Sequence, residues 1–384
     1  MNNRANIYDP IPVKIVEGHG CWVTDITGRA YLDCLAGYSA VSHGHCHPKL
    51  VKAAIAQMNR LCLTSRAFDS PLLYAWEDKM CKTFDGKMIL PMNSGAEGVE
   101  TAIKIARKWG MVKKGVTDGT QKIIVCDGNF HGRTTTIISF SSNTNYRSGF
   151  GPLTPGFLTV PYGDHNAFCR ALRYNSGVVA FLVEPLQGEG GMNVPPDDYF
   201  TEVRNICDEN DVLLILDEVQ TGLGRTGYVL GEEAYGIKAD LTILGKALGG
   251  GIVPISCVLD RRGTIMDVLG PGDHGSTWGG NPLACAVSMV ALDVLREENL
   301  VMNSKAMGSY LLAELKEMGL NARGRGLMIG IETPLGTSRD YCLKLKDQGI
   351  LVKDSHGVVR VTPPLIITLH EIGLLLEAIR NVFK

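Results

Sequence analysis

The sequence predicts an α/β protein in which a mostly parallel sheet is flanked by helices and the two chain ends build a smaller α+β domain. Three observations carry this. From about residue 85 to 260, short apolar runs alternate with longer amphipathic stretches. Several runs close on a charged or small polar residue, and ligands bind beyond the carboxyl ends of strands in such sheets. The length, 384 residues, calls for two domains or one large α/β domain.

Residues 1–48 contain short alternating stretches and the turn signal Asp25-Ile26-Thr27-Gly28, and are expected to pack with the smaller domain. Residues 49–294 are expected to form the large domain. Within it KMILPM, KIIVCD, VVAFLVEP, VLLILDEV and LTILGKAL read as buried strands, being short and nearly continuously apolar. AEGVETAIKIARKWG and DYFTEVRNICDEND have helical patterning. Residues 295–384 supply the helix MGSYLLAELKEMG, short strands in GLMIGIET and GVVRVT, and a last helix.

Composition narrows the function classes. A content of 45% hydrophobic and 20% charged residues is ordinary for a globular enzyme. The net charge of −2 argues against nucleic acid or an anionic membrane as partner, since both need a basic patch. No apolar run approaches a membrane span. The N-terminus lacks the pattern of a signal or transit peptide, and the 11 scattered cysteines contain no C-x-x-C pair, so a cytoplasmic location is expected.

Two strand ends look chemical. Asp217 closes the run Val212–Leu216, where a charge costs several kcal/mol unless paired. A structural ion pair or helix cap would satisfy it; so would a protonated heterocycle nitrogen. Lys246 closes Leu241–Gly245, and desolvation lowers a lysine toward nucleophilic range. A snorkelling lysine is the plain alternative. Together on successive strands, the two residues form the pair pyridoxal phosphate requires. Ser94-Gly95-Ala96-Glu97 opens an amphipathic helix with capping-box spacing, a seat for a phosphate. The loop His274–Pro282 is small and polar and offers hydroxyls to the same phosphate.

Two motifs invite other readings. Gly222–Gly227 matches G-x-G-x-x-G and would suit a dinucleotide-dependent oxidoreductase. However, the strand ends in Asp217-Glu218 before the first glycine, and Tyr228-Val229-Leu230-Gly231 is a poor helix start. His43, His45 and His47 suggest a metal, yet neighbours in a turn rarely aim at one ion, and Pro48 suits the first turn of a helix. No metal is expected.

The motifs GYSAVSHGHCHPKL, LPMNSGAEGVETAIKIARKWG, GNFHGRT, VEPLQGEGG, LDEVQTGLGRTG, LGKALGGG, HGSTWGGNPL and VRVTPPL run in order along nearly the whole chain. They resemble the fold-type I, class III (ω-amino-acid) aminotransferases, and within them those acting on ornithine. The resemblance implies a seven-stranded sheet and pyridoxal 5′-phosphate as cofactor. It implies that Lys246 bonds the cofactor and shuttles a proton, while Asp217 holds the ring nitrogen. Phe130 and Val219 would sandwich the ring, Gln220 would bond its phenolic oxygen, and Glu184 would lie beside it. Ser94, Gly95 and Ala96 would seat the phosphate, joined by Ser276 and by Thr277 from a partner subunit, because family sites form at a homodimer interface.

On the substrate side, Arg133 resembles the arginine that takes the carboxylate of ornithine and the side-chain carboxylate of glutamate. Arg360 resembles the arginine for the α-carboxylate of 2-oxoglutarate or glutamate. Planar two-pronged pairing explains both. Glu189 would pair with Arg360 while ornithine is bound and swing away for glutamate, and Gly190-Gly191 implies added flexibility beside it. Tyr8 and Tyr38 favour free ornithine; relatives acting on N-acetylornithine or 4-aminobutyrate generally carry an aliphatic residue at Tyr38. The expected reaction moves the δ-amine of ornithine to 2-oxoglutarate.

Overall fold

The computed structural model of the chain describes residues 5–334 and 336–383. Three short strands come first: β1 (Ile15–His19), β2 (Trp22–Asp25) and β3 (Ala30–Asp33). Asp25 closes the β2–β3 turn as its sequence suggests, its Oδ1 accepting from the backbone N–H of Thr27 at 2.8 Å and of Arg29 at 3.1 Å.

Seven strands then form the central sheet: β4 (Met88–Met92), β5 (Lys122–Cys126), β6 (Phe157–Val160), β7 (Val178–Val183), β8 (Leu213–Asp217), β9 (Leu241–Leu244) and β10 (Ser256–Asp260). Their order is β4-β10-β9-β8-β7-β5-β6, and only β10 runs antiparallel to its neighbours. Period-two alternation splits each buried strand between two cores. Ile123, Val125, Leu213 and Ile215 join one cluster, while Ile124, Cys126, Leu214 and Leu216 join another on the opposite face. Both faces are covered, which is why these strands read as continuous apolar runs.

The helix Gly95–Val112 covers the first face with Val99, Ile103, Ala106 and Trp109. Truncating one of these, Ile103→Ala for example, costs about 2–5 kcal/mol. Small residues set how closely it lies: a Cβ on Gly98 would meet Ile243 at 2.8 Å. The helix Tyr199–Glu209 covers the other face with Phe200, Val203 and Cys207.

The chain ends share sheets. β13 (Ile350–Leu351) pairs in parallel with β3, extending the first sheet to β1-β2-β3-β13. β11 (Ala322–Arg325), β12 (Met328–Glu332), β14 (Lys353–Ser355) and β15 (Val358–Val361) form a third sheet, ordered β11-β12-β15-β14. Among the described residues no helix is long and apolar enough to cross a membrane.

Candidate active site

The cleft at the carboxyl ends of β7, β8 and β9 has a volume of about 190 Å³. Gly95, Ala96, Phe130, His131, Glu184, Asp217, Val219, Gln220 and Lys246 all line it. A larger cavity of about 530 Å³ lies beside Lys104, Arg107 and Met111, away from these groups. The strand ends supply the charged residues. β8 ends on Asp217 itself, which is 5% exposed. β7 ends at Val183, so Glu184 is the first residue beyond it. β9 ends at Leu244, two residues before Lys246, which opens a single 3₁₀ turn with φ +43°.

Each polar group has a defined setting. Asp217 Oδ2 meets His131 Nδ1 at 2.7 Å, and Oδ1 accepts from the Val219 N–H at 3.1 Å. Burial lowers the pKa of His131, but the bond to Asp217 and the charges of Asp217 and Glu184 together outweigh it and raise that pKa. Burial lifts Glu184 to about 7, against the opposing charge of His131, and one Glu184 oxygen accepts from the Phe130 N–H at 3.1 Å. Burial lowers Lys246 to about 8, and the charge of Asp217 offsets only part of this.

The expected phosphate seat is the start of the helix Gly95–Val112. The Ser94 hydroxyl accepts from the Glu97 N–H at 3.2 Å, and Glu97 in return accepts from the N–H groups of Asn93 and Ser94. Gly95 is required there by close approach, since a Cβ would meet Val219 at 2.9 Å. Ser276 joins through its hydroxyl, which accepts from Asn93 Nδ2 at 2.9 Å. Thr277 is exposed and does not line the cleft of its own chain.

The residues expected on the substrate side come from five separate segments. Arg360, on β15 and 1% exposed, pairs with Glu189, and its guanidinium carbon lies 5.2 Å from the Tyr38 ring centre. Among the described residues, Nε and Nη2 of Arg360 meet no hydrogen-bond partner. Tyr38, 36% exposed, sits in a run of left-handed residues from Ala36 to Ser39. Its pKa is raised by burial, with Arg360 opposing and Glu189 and Tyr8 adding to it. Arg133 is exposed and stacks on Tyr146 at 4.5 Å. Tyr8 is 56% exposed. Gln220 Nε2 reaches Tyr38 O at 3.3 Å and Ser39 Oγ at 3.4 Å.

The backbone beside Glu189 is tied at several points. Ser355 Oγ donates to Glu189 O at 2.5 Å, Arg323 gives two bonds to Gly191 O, and Asn193 Nδ2 donates to Gly190 O at 3.1 Å. A Cβ on Gly190 would press on Gly128 O. Gly190 serves close packing there and Gly191 takes a φ of +114°, and the backbone is held while the Glu189 side chain stays partly exposed.

The two motifs with rival readings also resolve structurally. No α-helix follows Gly222–Gly227; that loop buries Arg225, which donates to Leu327 O, Pro363 O and Ser42 Oγ. Its glycines let it approach the C-terminal segments, Gly227 facing Lys305. His43, His45 and His47 go to Ala291 O, Asp33 and Glu298 respectively.

The residues present fit a phosphorylated pyridine aldehyde: an amine of lowered pKa, a buried carboxylate, an aromatic and an aliphatic face, and a helix N-terminus in one cleft. The comparisons agree. The chain belongs to the class III aminotransferases, whose family model, described as Aminotransferase class-III, matches residues 4–383. It is 49% identical to the ornithine aminotransferase of Geobacillus sp. (strain WCH70), over 99% of this chain and 96% of that one. The solved ornithine aminotransferase of Toxoplasma gondii superposes with a TM-score of 0.96 at 42% identity, covering 99% and 92% of the two chains. An acetylornithine aminotransferase from Elizabethkingia anophelis gives 0.89 at 40% identity, covering 99% and 96%. Pyridoxal phosphate is the cofactor of this enzyme class.

Proposed function

We propose that this protein is an ornithine δ-aminotransferase, moving the δ-amino group of L-ornithine to 2-oxoglutarate to give glutamate 5-semialdehyde and glutamate. The carrying observation is the Arg360–Glu189 pair beside Tyr38, near enough for both charges to act on Lys246, which lines one cleft with Asp217. A dicarboxylate acceptor needs Arg360 free; a substrate presenting its distal amine needs it neutralised. One carboxylate on a held backbone, whose side chain alone turns, provides both states.

In this reading, Lys246 would hold the cofactor at its aldehyde and would hold and move a proton at its Nζ, a task suited to an amine near neutrality. Asp217, oriented by His131, pairs with the ring nitrogen. When bound, the cofactor supplies an electron sink that stabilises negative charge on the carbon losing its proton. Phe130 and Val219 would hold the ring between them, Gln220 and Glu184 would offer it polar partners, and Ser94, Gly95 and Ala96 would receive the phosphate. Arg133 and Tyr8 meet the carboxylate end of ornithine, with Tyr38 ordering its α-amino group.

The reading includes a homodimer in which Thr277 and Ser276 complete the phosphate site. Supporting it, Thr277 and the large apolar Trp278 are both exposed on one loop. Residues 1–48 and 295–384 are taken as one smaller domain against 49–294, with the β3–β13 pairing in support. A cytoplasmic location suits its 11 free thiols.

The test is a steady-state assay with 2-oxoglutarate, offering ornithine, N-acetylornithine and 4-aminobutyrate separately and trapping the cyclised semialdehyde. A kcat/KM at least about tenfold higher for ornithine is expected. Preference for N-acetylornithine would keep the cofactor chemistry and overturn the roles of Tyr8 and Tyr38.

A further inference from the structure

His274 has no role in the chemistry described above, yet both its ring nitrogens are engaged. Thr101 donates its hydroxyl hydrogen to Glu97 O at 2.7 Å, which leaves its oxygen to accept from His274 Nε2 at 2.9 Å. Lys104 Nζ donates to His274 Nδ1 at 2.9 Å and to Asp273 O at 3.1 Å. An ammonium has no lone pair to accept with, so Nδ1 is bare and Nε2 carries the hydrogen. Further along the same helix, Lys108 pairs with the Asp273 carboxylate. Thr101, Lys104 and Lys108 share one face at spacings of three and four. Beyond His274 the loop is tied again, through Ser276 Oγ to Asn93 Nδ2 at 2.9 Å.

We propose that His274, as the neutral Nε2–H tautomer, is a positioning residue that latches the Ser276–Thr277 loop to the helix whose N-terminus seats the cofactor phosphate. This rests on the reading of Ser94–Ala96 and Ser276–Thr277 as phosphate-binding. The latch converts a polar loop into a fixed donor of hydroxyls to the phosphate site across the homodimer of the proposed function, so its removal weakens cofactor binding without touching a group that contacts the cofactor.

The latch is also pH-sensitive. The charged groups facing His274 are Lys104, Lys108, Asp273 and Glu97. Burial and then Lys104 lower its pKa, with Glu97 opposing, so the ring is neutral at neutral pH. Protonating Nδ1 would set two donors and two positive charges face to face. Loop attachment is therefore present above the lowered pKa and lost as pH falls through it.

The experiment reconstitutes apoprotein with pyridoxal phosphate and reads the apparent Kd from bound-cofactor absorbance across mildly acidic to mildly alkaline pH. His274→Gln retains one acceptor and one donor but does not titrate; His274→Phe and Lys104→Met remove the bond between the two residues. At alkaline pH the Phe and Met variants are expected to bind about tenfold more weakly, the scale of one lost charge-assisted hydrogen bond. His274→Gln should stay within about twofold of the native protein, and the native protein should lose affinity on acidification more steeply than His274→Gln. Melting of the apoproteins checks folding, and Lys104→Met carries the test if the Phe variant unfolds. Equal affinities for all four proteins at every pH would overturn the latch. Lys246→Ala is titrated alongside: if it matches the native protein, the cofactor reading fails instead.

Discussion

The two ends of the cleft are built differently. At the cofactor end, Asp217, Glu184 and Lys246 stand at or just past the ends of three adjacent buried strands, and Ser94 caps a helix packed on the same sheet. At the substrate end, Tyr8, Tyr38, Arg133 and Glu189 come from loops or turns, and only Arg360 sits on a strand, in another sheet. The cofactor groups inherit their positions from the sheet register. The substrate groups owe theirs to individual contacts such as Arg323 with Gly191 O. In the proposed function, chemistry is thus fixed by the fold, and selectivity by contacts that few substitutions suffice to alter.

Breaking the cofactor end should have the largest effect. Lys246→Ala is expected to lower kcat at least about 10³-fold, as the loss of an acid–base group and nucleophile does, and to abolish the yellow absorbance of the loaded protein; retention of that absorbance with normal turnover would remove Lys246 from its role. Next is Arg360→Lys, which exchanges a planar fork for a point charge. It should cut kcat/KM for 2-oxoglutarate by about 10–100-fold and spare the ornithine half-reaction, measured in single turnovers. The pH dependence follows from Lys246: its free amine, the reactive form, predominates above about 8. The rate at which apoprotein takes up pyridoxal phosphate should therefore rise as pH increases through that value and then level off, whereas continued rise toward pH 10 would mean an unperturbed lysine. The smallest effect is expected from Tyr38→Phe, a loss of about threefold to tenfold in ornithine over N-acetylornithine preference.

The same contrast governs what was legible in the sequence. Asp217 and Lys246 were visible because charges closing apolar runs are costly and therefore conspicuous. Ser94 and Glu97 were visible through their cap spacing. Strands β6 and β10 escaped: Phe157–Val160 is a four-residue edge strand between Gly156 and Pro161, and Ser256–Asp260 carries polar residues at both ends. His131 lay inside a quoted motif, but nothing in its spacing tied it to Asp217, 86 positions away. Arg225 was hidden by the glycines around it, whose pattern suggested a nucleotide while their use is packing. The substrate residues had no periodicity to announce them and were placed by family resemblance alone.

The most direct test of the division between the two ends takes the double variant Arg133→Lys/Tyr38→Phe. Its apparent Kd for pyridoxal phosphate and the rate of its half-reaction with ornithine are measured on one sample. The account predicts an affinity within about twofold of the native protein and a half-reaction slowed at least about tenfold. Cofactor affinity falling in parallel with the rate would contradict it, because the substrate loops would then be part of what holds the cofactor.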